Sequence, residues 1–429
     1  MYFLDFVLDV LGTPAILIGL LALLGLLLQK KPFADVVRGT IKTIIGFTVL
    51  LAGAIIVVGS LIFFEQVFTY SFGAQGVLAD SNPALAFAMM EAGANISLIV
   101  AFGFIVNILV ARFTPLKYIY LATHLPLFIG AGIAVVLIGG GVSGVPLVAI
   151  GSITLGFVMA LYPAIAQPIM RKITGTDDIG FAHTASLGSV ITANFAKLFS
   201  KNSKSTEEMN FPKALGFLKD IYVTVTIFMF LIFLVLALIA GPRFVESEIS
   251  GGQNFIVYVL IQAATFGGGL YVILSGVRLA LAEIIPAFKG IAEKLVPNAK
   301  PALDGPVVFP YAPNAVVIGF LVSFAGLIVG MLICILLNAV GISVPIILPS
   351  TILAFFCGGV AGVFGNALGG RRGCVISAFS YGLLCVFLGI LIFPFLEPLG
   401  ITTALFADPD IQVIVLIFGN ILRLFTGAG

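Results

Sequence analysis

LVPNAKPALDGPVVFPYAPNAVVIGF, residues 295–320, is the stretch that decides how this chain is read. Five prolines, Asp304 and Asn314 stand between two apolar runs. Pro306, Pro310 and Pro313 each remove a backbone donor and crowd the preceding turn, so no continuous helix can pass through DGPVVFPYAPN. Its VVFPY core is nevertheless too apolar for an ordinary surface loop. Such sequence fits one setting: irregular backbone that enters a membrane but is surrounded by protein.

The rest of the chain supplies the membrane. Of 429 residues, 60% are hydrophobic and 9% charged, and the mean hydropathy is +1.22. A soluble domain carries roughly 25% charged residues. Eleven apolar runs are long enough to be read as crossings, at 12–28, 44–63, 95–111, 118–140, 142–162, 220–240, 254–276, 314–337, 343–367, 374–394 and 411–427. With the N-terminus outside and the C-terminus inside, all of the 21 Lys/Arg except Arg243 fall on one side, which the positive-inside rule makes cytoplasmic. The expectation is an all-α integral membrane protein in a bacterial cytoplasmic (inner) membrane. The start, MYFLDFVLDV, lacks the basic n-region of a cleaved signal. A formal charge of +2 argues against nucleic acid as a partner.

Four segments read as neither spans nor loops: 77–94, 179–199, 280–313 and 357–373. Broken apolar segments of this kind build substrate sites in secondary transporters, whose chains often consist of two related halves. VRGTIKTIIGF (37–47) resembles VRLALAEIIPAF (277–288). GANISLIVAFGF (93–104) resembles APNAVVIGFLVSF (312–324), and YLATHLPLFIGAG (120–132) resembles ILPSTILAFFCGG (347–359). The matches keep one order, which suggests halves at 1–219 and 220–429.

Ionisable groups inside a membrane cost several kcal/mol, at roughly 2.5–3.5 each on insertion scales, so each needs a reason. Asp304 can accept hydrogen bonds from a polyhydroxylated ligand, or cap a helix. His124 and His183, the two histidines of the chain, both sit in broken apolar segments and can bind a hydroxyl or relay a proton. Ser81 and Asn82, beside Asp80, present polar groups at a helix start. Glu283 reads as part of an interfacial amphipathic helix, and Asn107 as an interhelical hydrogen bond. Cys334, Cys357, Cys374 and Cys385 read as packing residues. No P-loop, GxSxG or HExxH string is present, and neither cofactor nor metal is expected.

VRGTIKTIIGF, RLALAEIIPAFKGIAEKLVPNA, LDGPVVFPYAPNAVVIGF and GVFGNALGG together resemble the ascorbate-type membrane component, enzyme IIC, of the bacterial phosphoenolpyruvate-dependent phosphotransferase system. The resemblance runs through nearly the whole chain, as a single EIIC membrane domain, 1–429. It implies a non-enzymatic permease that binds a carbohydrate-like substrate outside and delivers it to a phosphorylated cytoplasmic IIB component, itself charged by IIA. It further implies a homodimer of eleven-helix protomers, each with a scaffold and a core that moves like an elevator. It places substrate contacts at Asp304, His183, His124, Ser81 and Asn82. Two positions depart from the family: Phe128 and Thr184 stand where it has glutamine. Ascorbate is therefore the default ligand, with another sugar, sugar acid or polyol open. A proton-coupled transporter using His124, His183 and Asp304 is the alternative reading, and a channel is the weakest.

Overall fold

The computed structural model describes residues 13–72, 76–122, 124–209 and 220–426. The expected signal-free start and the first residue of the first span lie outside the described residues, as does the end of the last span. Among the described residues the fold is helical, with α1 (Pro14–Leu28), α2 (Phe33–Phe72), α3 (Ser81–Phe113), α4 (Leu125–Gly139), α5 (Gly144–Thr174) and α6 (Ser186–Lys197) in the first part. The second part holds α7 (Ile221–Ala240), α8 (Pro242–Ile249), α9 (Phe255–Lys294), α10 (Pro313–Ala339), α11 (Gly359–Leu396) and α12 (Pro409–Thr426). The expected run 343–367 opens with a short strand at Ile347–Leu348 and turns helical only from Thr351. Among the described residues, six helical runs are long and apolar enough by themselves to cross a membrane, and α7 with α8, bent by 101°, makes a seventh.

Several boundaries differ from the sequence reading. The run 118–140 opens as a strand, and its helix begins only at Leu125. Residues 280–294, read from sequence as separate from the spans, continue α9 to Lys294 in spite of Pro286. Glu283 lies on this long helix, 3.4 Å from Lys42 of α2. The ninth and tenth spans form one helical run, Thr351–Leu399. Its only departures from helical backbone within α11 are Gly369 and Gly370, and Gly370 has φ +56°. That conformation favours glycine, and a Cβ there would also strike the carbonyl of Ser203. The neighbouring loop holds the bend: Arg371 donates its amide to the Lys204 carbonyl at 2.7 Å and its guanidinium to the Glu208 carbonyl at 2.6 Å.

Two 40-residue helices, α2 and α9, pack along each other. At about 1.5 Å per residue each is roughly 60 Å long, twice the hydrocarbon thickness. Their contact is lined by small residues that let the backbones close. A Cβ at Gly46 would lie 2.6 Å from the Ala280 nitrogen, and one at Gly53 would lie 2.5 Å from the Ile273 nitrogen. Close packing of this kind holds helices together where no hydrophobic force acts between them. α1 joins the pair through Gln29, whose amide donates to the Pro286 carbonyl at 2.9 Å.

Five short strands interrupt the helices: β1 (Val77–Leu78), β2 (Tyr118–Tyr120), β3 (Gly180–Phe181), β4 (Lys300–Leu303) and β5 (Ile347–Leu348). They form two small parallel sheets. In one, β4 lies between β2 and β3. In the other, β1 pairs with β5, and Leu78 also bridges to Ala404. In both sheets, strands from the first half of the chain pair with strands from the second. The pairing satisfies extended backbone: Leu121 donates to Ala302 at 2.8 Å, Ala182 to Leu303 at 2.7 Å, Leu78 to Thr403 at 2.9 Å and Leu405 back to Leu78 at 3.1 Å. Asn107 serves the same purpose. It does not bridge helices as expected, but donates to the Tyr118 carbonyl and accepts from the Tyr120 amide, both at 3.1 Å. At the outer edge of the β4 sheet, Asp177 receives Arg171, Lys300 and Gln167. Burial would raise its pKa, but these bonds outweigh it and hold the carboxyl well below the usual range.

If the α2–α9 contact carries the frame, Gly46→Val should cost about 1–3 kcal/mol through overpacking. The thermal unfolding midpoint in detergent should fall. Gly59→Ala on the same helix, where a Cβ meets nothing within 4 Å, should leave it in place. Equal midpoints for the two variants would contradict the contact.

Candidate functional site

Four of the strands, and the stretch bridged to β1, deliver polar residues to one place. β1 runs into Asp80, Ser81 and Asn82, β2 into His124, β3 into His183 and Thr184, β4 into Asp304, and the bridged stretch at Ala404 into Asp408. These residues share a cavity of about 1350 Å³ with a wall of α2 that includes Leu50, Ile62 and Glu65. The seven residues expected from sequence, Ser81, Asn82, His124, Phe128, His183, Thr184 and Asp304, all line it. Glu91 and Asn95, further along α3, do not.

Asp304 closes β4 and caps the 3₁₀ turn Gly305–Tyr311, its Oδ1 accepting the Gly305 amide at 2.6 Å. The prolines of the opening stretch thus produce a 3₁₀ turn followed by α10, which starts at Pro313. The Asp304 side chain is 13% exposed. His124 Nε2 stands 3.7 Å from its Oδ2, and His183 Nε2 stands 3.9 Å from its Oδ1. Both separations are too long for direct hydrogen bonds, so lone pairs of the carboxylate stay open to the cavity. Gly305 makes this approach possible: a Cβ there would lie 2.5 Å from the His183 ring.

The two histidines differ in kind. His183 is 6% exposed at its side chain and His124 is 41% exposed. The Ala185 amide donates to His183 Nδ1 at 3.1 Å. Nδ1 must then carry the lone pair, which puts the ring proton on Nε2, toward Asp304, and leaves the imidazole neutral. His183 is a fixed donor in the wall, and His124 faces the open volume.

Asp408 escaped the sequence reading and organises the opposite corner. Its Oδ2 accepts from Ser81, and its Oδ1 accepts from Thr184 at 2.7 Å and from the Cys357 thiol at 3.3 Å. One carboxylate thereby ties the start of α3, the turn after β3 and the helical run from Thr351. The Ala407 amide adds a bond to Ser81 Oγ at 2.9 Å. Two residues on, the buried Asp410 accepts the amides of Leu187 and Gly188 at 2.8 and 3.3 Å and so anchors the start of α6.

Asp408 was hidden because ALFADPDIQV looked like a connection between spans. A signal was present: VLADSNP, ALDGP and LFADP each place an aspartate after a short apolar run and a proline just beyond it. Glu65, also unanticipated, was visible as an acid inside an apolar helix. The four cysteines are all buried; Cys357, read as packing alone, lines the cavity and donates to Asp408.

A family model described as EIIC-GAT, the PTS system sugar-specific permease component, matches residues 9–410. The ascorbate-specific PTS system EIIC component of Mycoplasma pneumoniae is 29% identical over 436 residues. The alignment covers 87% of this chain and 64% of that relative, so the chain spans less than two thirds of the relative's length. The apolar helices, the cavity between them and a match over most of the chain agree, and the chain belongs to the sugar-specific permease (EIIC) family of the phosphotransferase system, a family of transport subunits rather than enzymes.

Proposed function

We propose that this chain is the membrane permease of a phosphotransferase system for a polyhydroxylated substrate, L-ascorbate or a related sugar acid or polyol. The substrate enters from outside and is released inward, where a phosphorylated IIB component, charged by IIA, modifies it. The observation that carries this reading is the meeting of all seven expected residues on one cavity. Its volume of about 1350 Å³ exceeds the roughly 300–1,000 Å³ of ordinary ligand pockets, leaving room for a sugar and its water. Asp304 and Thr184 offer acceptors for ligand hydroxyls, the His183 Nε2–H offers a donor, and Phe128 offers an apolar face for carbon-bound hydrogens.

We further propose eleven crossings in a bacterial inner membrane, with the N-terminus outside and the C-terminus in the cytoplasm, and a homodimer. The reciprocal exchange of strands between the two sheets supports related halves at 1–219 and 220–429. One wall of the cavity belongs to the long helix α2, and the polar residues opposite belong to the strand–turn segments. That division supports an elevator-like cycle in which the strand–turn body slides past an α2–α9 scaffold, carrying the ligand with it.

Proteoliposomes supplied with IIA, IIB and phosphoenolpyruvate should accumulate the substrate as its phosphate ester. Accumulation of unmodified substrate without IIB and phosphoenolpyruvate would contradict the permease reading. Uptake that instead follows an imposed proton gradient would favour the second reading, a proton-coupled transporter, which the placing of both histidines beside Asp304 makes specific.

Asp304→Asn and His183→Ala should each weaken substrate binding about 10- to 100-fold, the scale of one lost hydrogen bond to a charged group. The yield of folded protein should be unchanged. Wild-type affinity in both variants would remove these residues from the site.

A further inference from the structure

Between α6 and α7 the described chain runs through KNSKSTEE, residues 201–208, whose regular structure is one 3₁₀ turn at Thr206–Glu208. Polar sequence of this kind is ordinarily a mobile surface loop. Here it is fastened down as a strap. The Thr206 amide donates to Asn366 Oδ1 at 2.9 Å, and Thr206 is fully buried. The Glu207 carboxylate accepts two amides from the first turn of α10, Asn314 at 3.3 Å and Ala315 at 3.1 Å. Arg371 donates its amide to the Lys204 carbonyl and its guanidinium to the carbonyls of Ser205 and Glu208. The Arg372 amide donates to Ser203 Oγ at 3.1 Å.

These bonds leave cationic side chains uncommitted. Lys201, Lys204 and Arg372 are exposed, as is Lys197 at the end of α6. Arg371 bonds to carbonyls, so no acid stands against its charge. Among the described residues none of these five forms an ion pair, whereas Arg38, Lys42, Arg171 and Lys300 are each held by an acid. Glu207 and Glu208 offset two of the five charges, and the Glu207 carboxylate is turned onto α10. The positive-inside rule explains basic residues on this side of the membrane. It does not explain their being mounted on an ordered platform.

The strap also lies beside the segment that presents Asp304. From Asp304 the chain makes the 3₁₀ turn Gly305–Tyr311 and enters α10, whose first amides Glu207 holds. At about 2.0 Å per residue that turn covers roughly 14 Å. A protein seated on the strap is thus one short turn from the proposed ligand contact. A phosphorylated protein brings concentrated negative charge. Exposed cations without acid partners complement that charge and speed the encounter.

We propose that the strap, with Lys197, Arg371 and Arg372, is the docking surface for the phosphorylated cytoplasmic IIB component, whose negative charge its free cations recognise. The proposal rests on the permease reading and gives the partner of that reading a place on the chain.

The test is binding of phosphorylated IIB to the full chain in phosphatidylcholine nanodiscs, followed at low and at physiological salt. Lys204→Glu combined with Arg372→Glu should weaken binding about tenfold or more, chiefly through the association rate, and the loss should shrink as salt rises. Neither side chain fastens the strap, so the thermal unfolding midpoint should stay in place. Arg112→Glu combined with Lys172→Glu makes the same charge change at exposed residues elsewhere on the cytoplasmic side, and should alter affinity less than about twofold. Lys204→Gln combined with Arg372→Gln serves should the reversed pair fail to fold, with a loss of about threefold or more expected. Equal losses in the two reversed pairs, or no loss in the strap pair, overturn the proposal. If the strap cations hold lipid headgroups instead, their reversal will abolish a preference for phosphatidylglycerol over phosphatidylcholine and leave IIB affinity unchanged, which overturns it too. Phosphorylated uptake by the wild-type chain, with IIB binding unmoved by the strap reversal, defeats this inference and leaves the permease reading standing. Failure of the wild-type chain to bind phosphorylated IIB at all defeats both.

Discussion

Backbone amides and carbonyls inside a membrane must find partners, and unpaired groups there cost several kcal/mol each. This constraint shapes the molecule. The helices meet it internally. The breaks between them meet it by pairing with one another, in two parallel sheets of two- to four-residue strands. Neither sheet can form from one half of the chain alone, because each pairs strands from both halves. Pairing of the breaks and docking of the two ends are therefore one event, and the chain can afford irregular backbone only where that docking occurs.

Function follows from where the strands stop. A short strand that ends inside protein leaves the next amides unpaired, and an aspartate or hydroxyl at that point can satisfy them. Asp80, Asp304 and Asp410 each accept amides at such a turn. The same side chains keep further lone pairs, and the crossing of the strands points those residues at a common space. The proposed ligand site is thus built largely from capping groups. Asp408 goes further by accepting only from side chains, each on a different segment. It couples the geometry of the site to the packing of three elements.

Much of this was legible in the sequence. Charge asymmetry and apolar length located the helices, because both reflect the cost of transfer into lipid. The prolines around Asp304 announced irregular backbone, and the two histidines stood out as rare ionisable groups in apolar surroundings. Other features were not legible, because they depend on partners distant in the chain. Residues 280–294 read as separate from the spans but continue α9 through Pro286, along its long contact with α2. Asn107 looked like an interhelical bridge because nothing local shows that β2 passes beside it. Asp408 looked like a loop residue until Ser81, Thr184 and Cys357 were brought to it from positions 327, 224 and 51 residues away.

The central claim is that the strand ends converge on the place where the ligand binds. A ligand-bound structure of the full chain in a lipid nanodisc tests it most directly. Ligand density is expected between Asp304, His124 and His183 on one side and Thr184 and Asp408 on the other, with a ligand hydroxyl bridging the gap from His183 to Asp304. Density lodged elsewhere, with that gap closed by direct hydrogen bonds, would contradict the account.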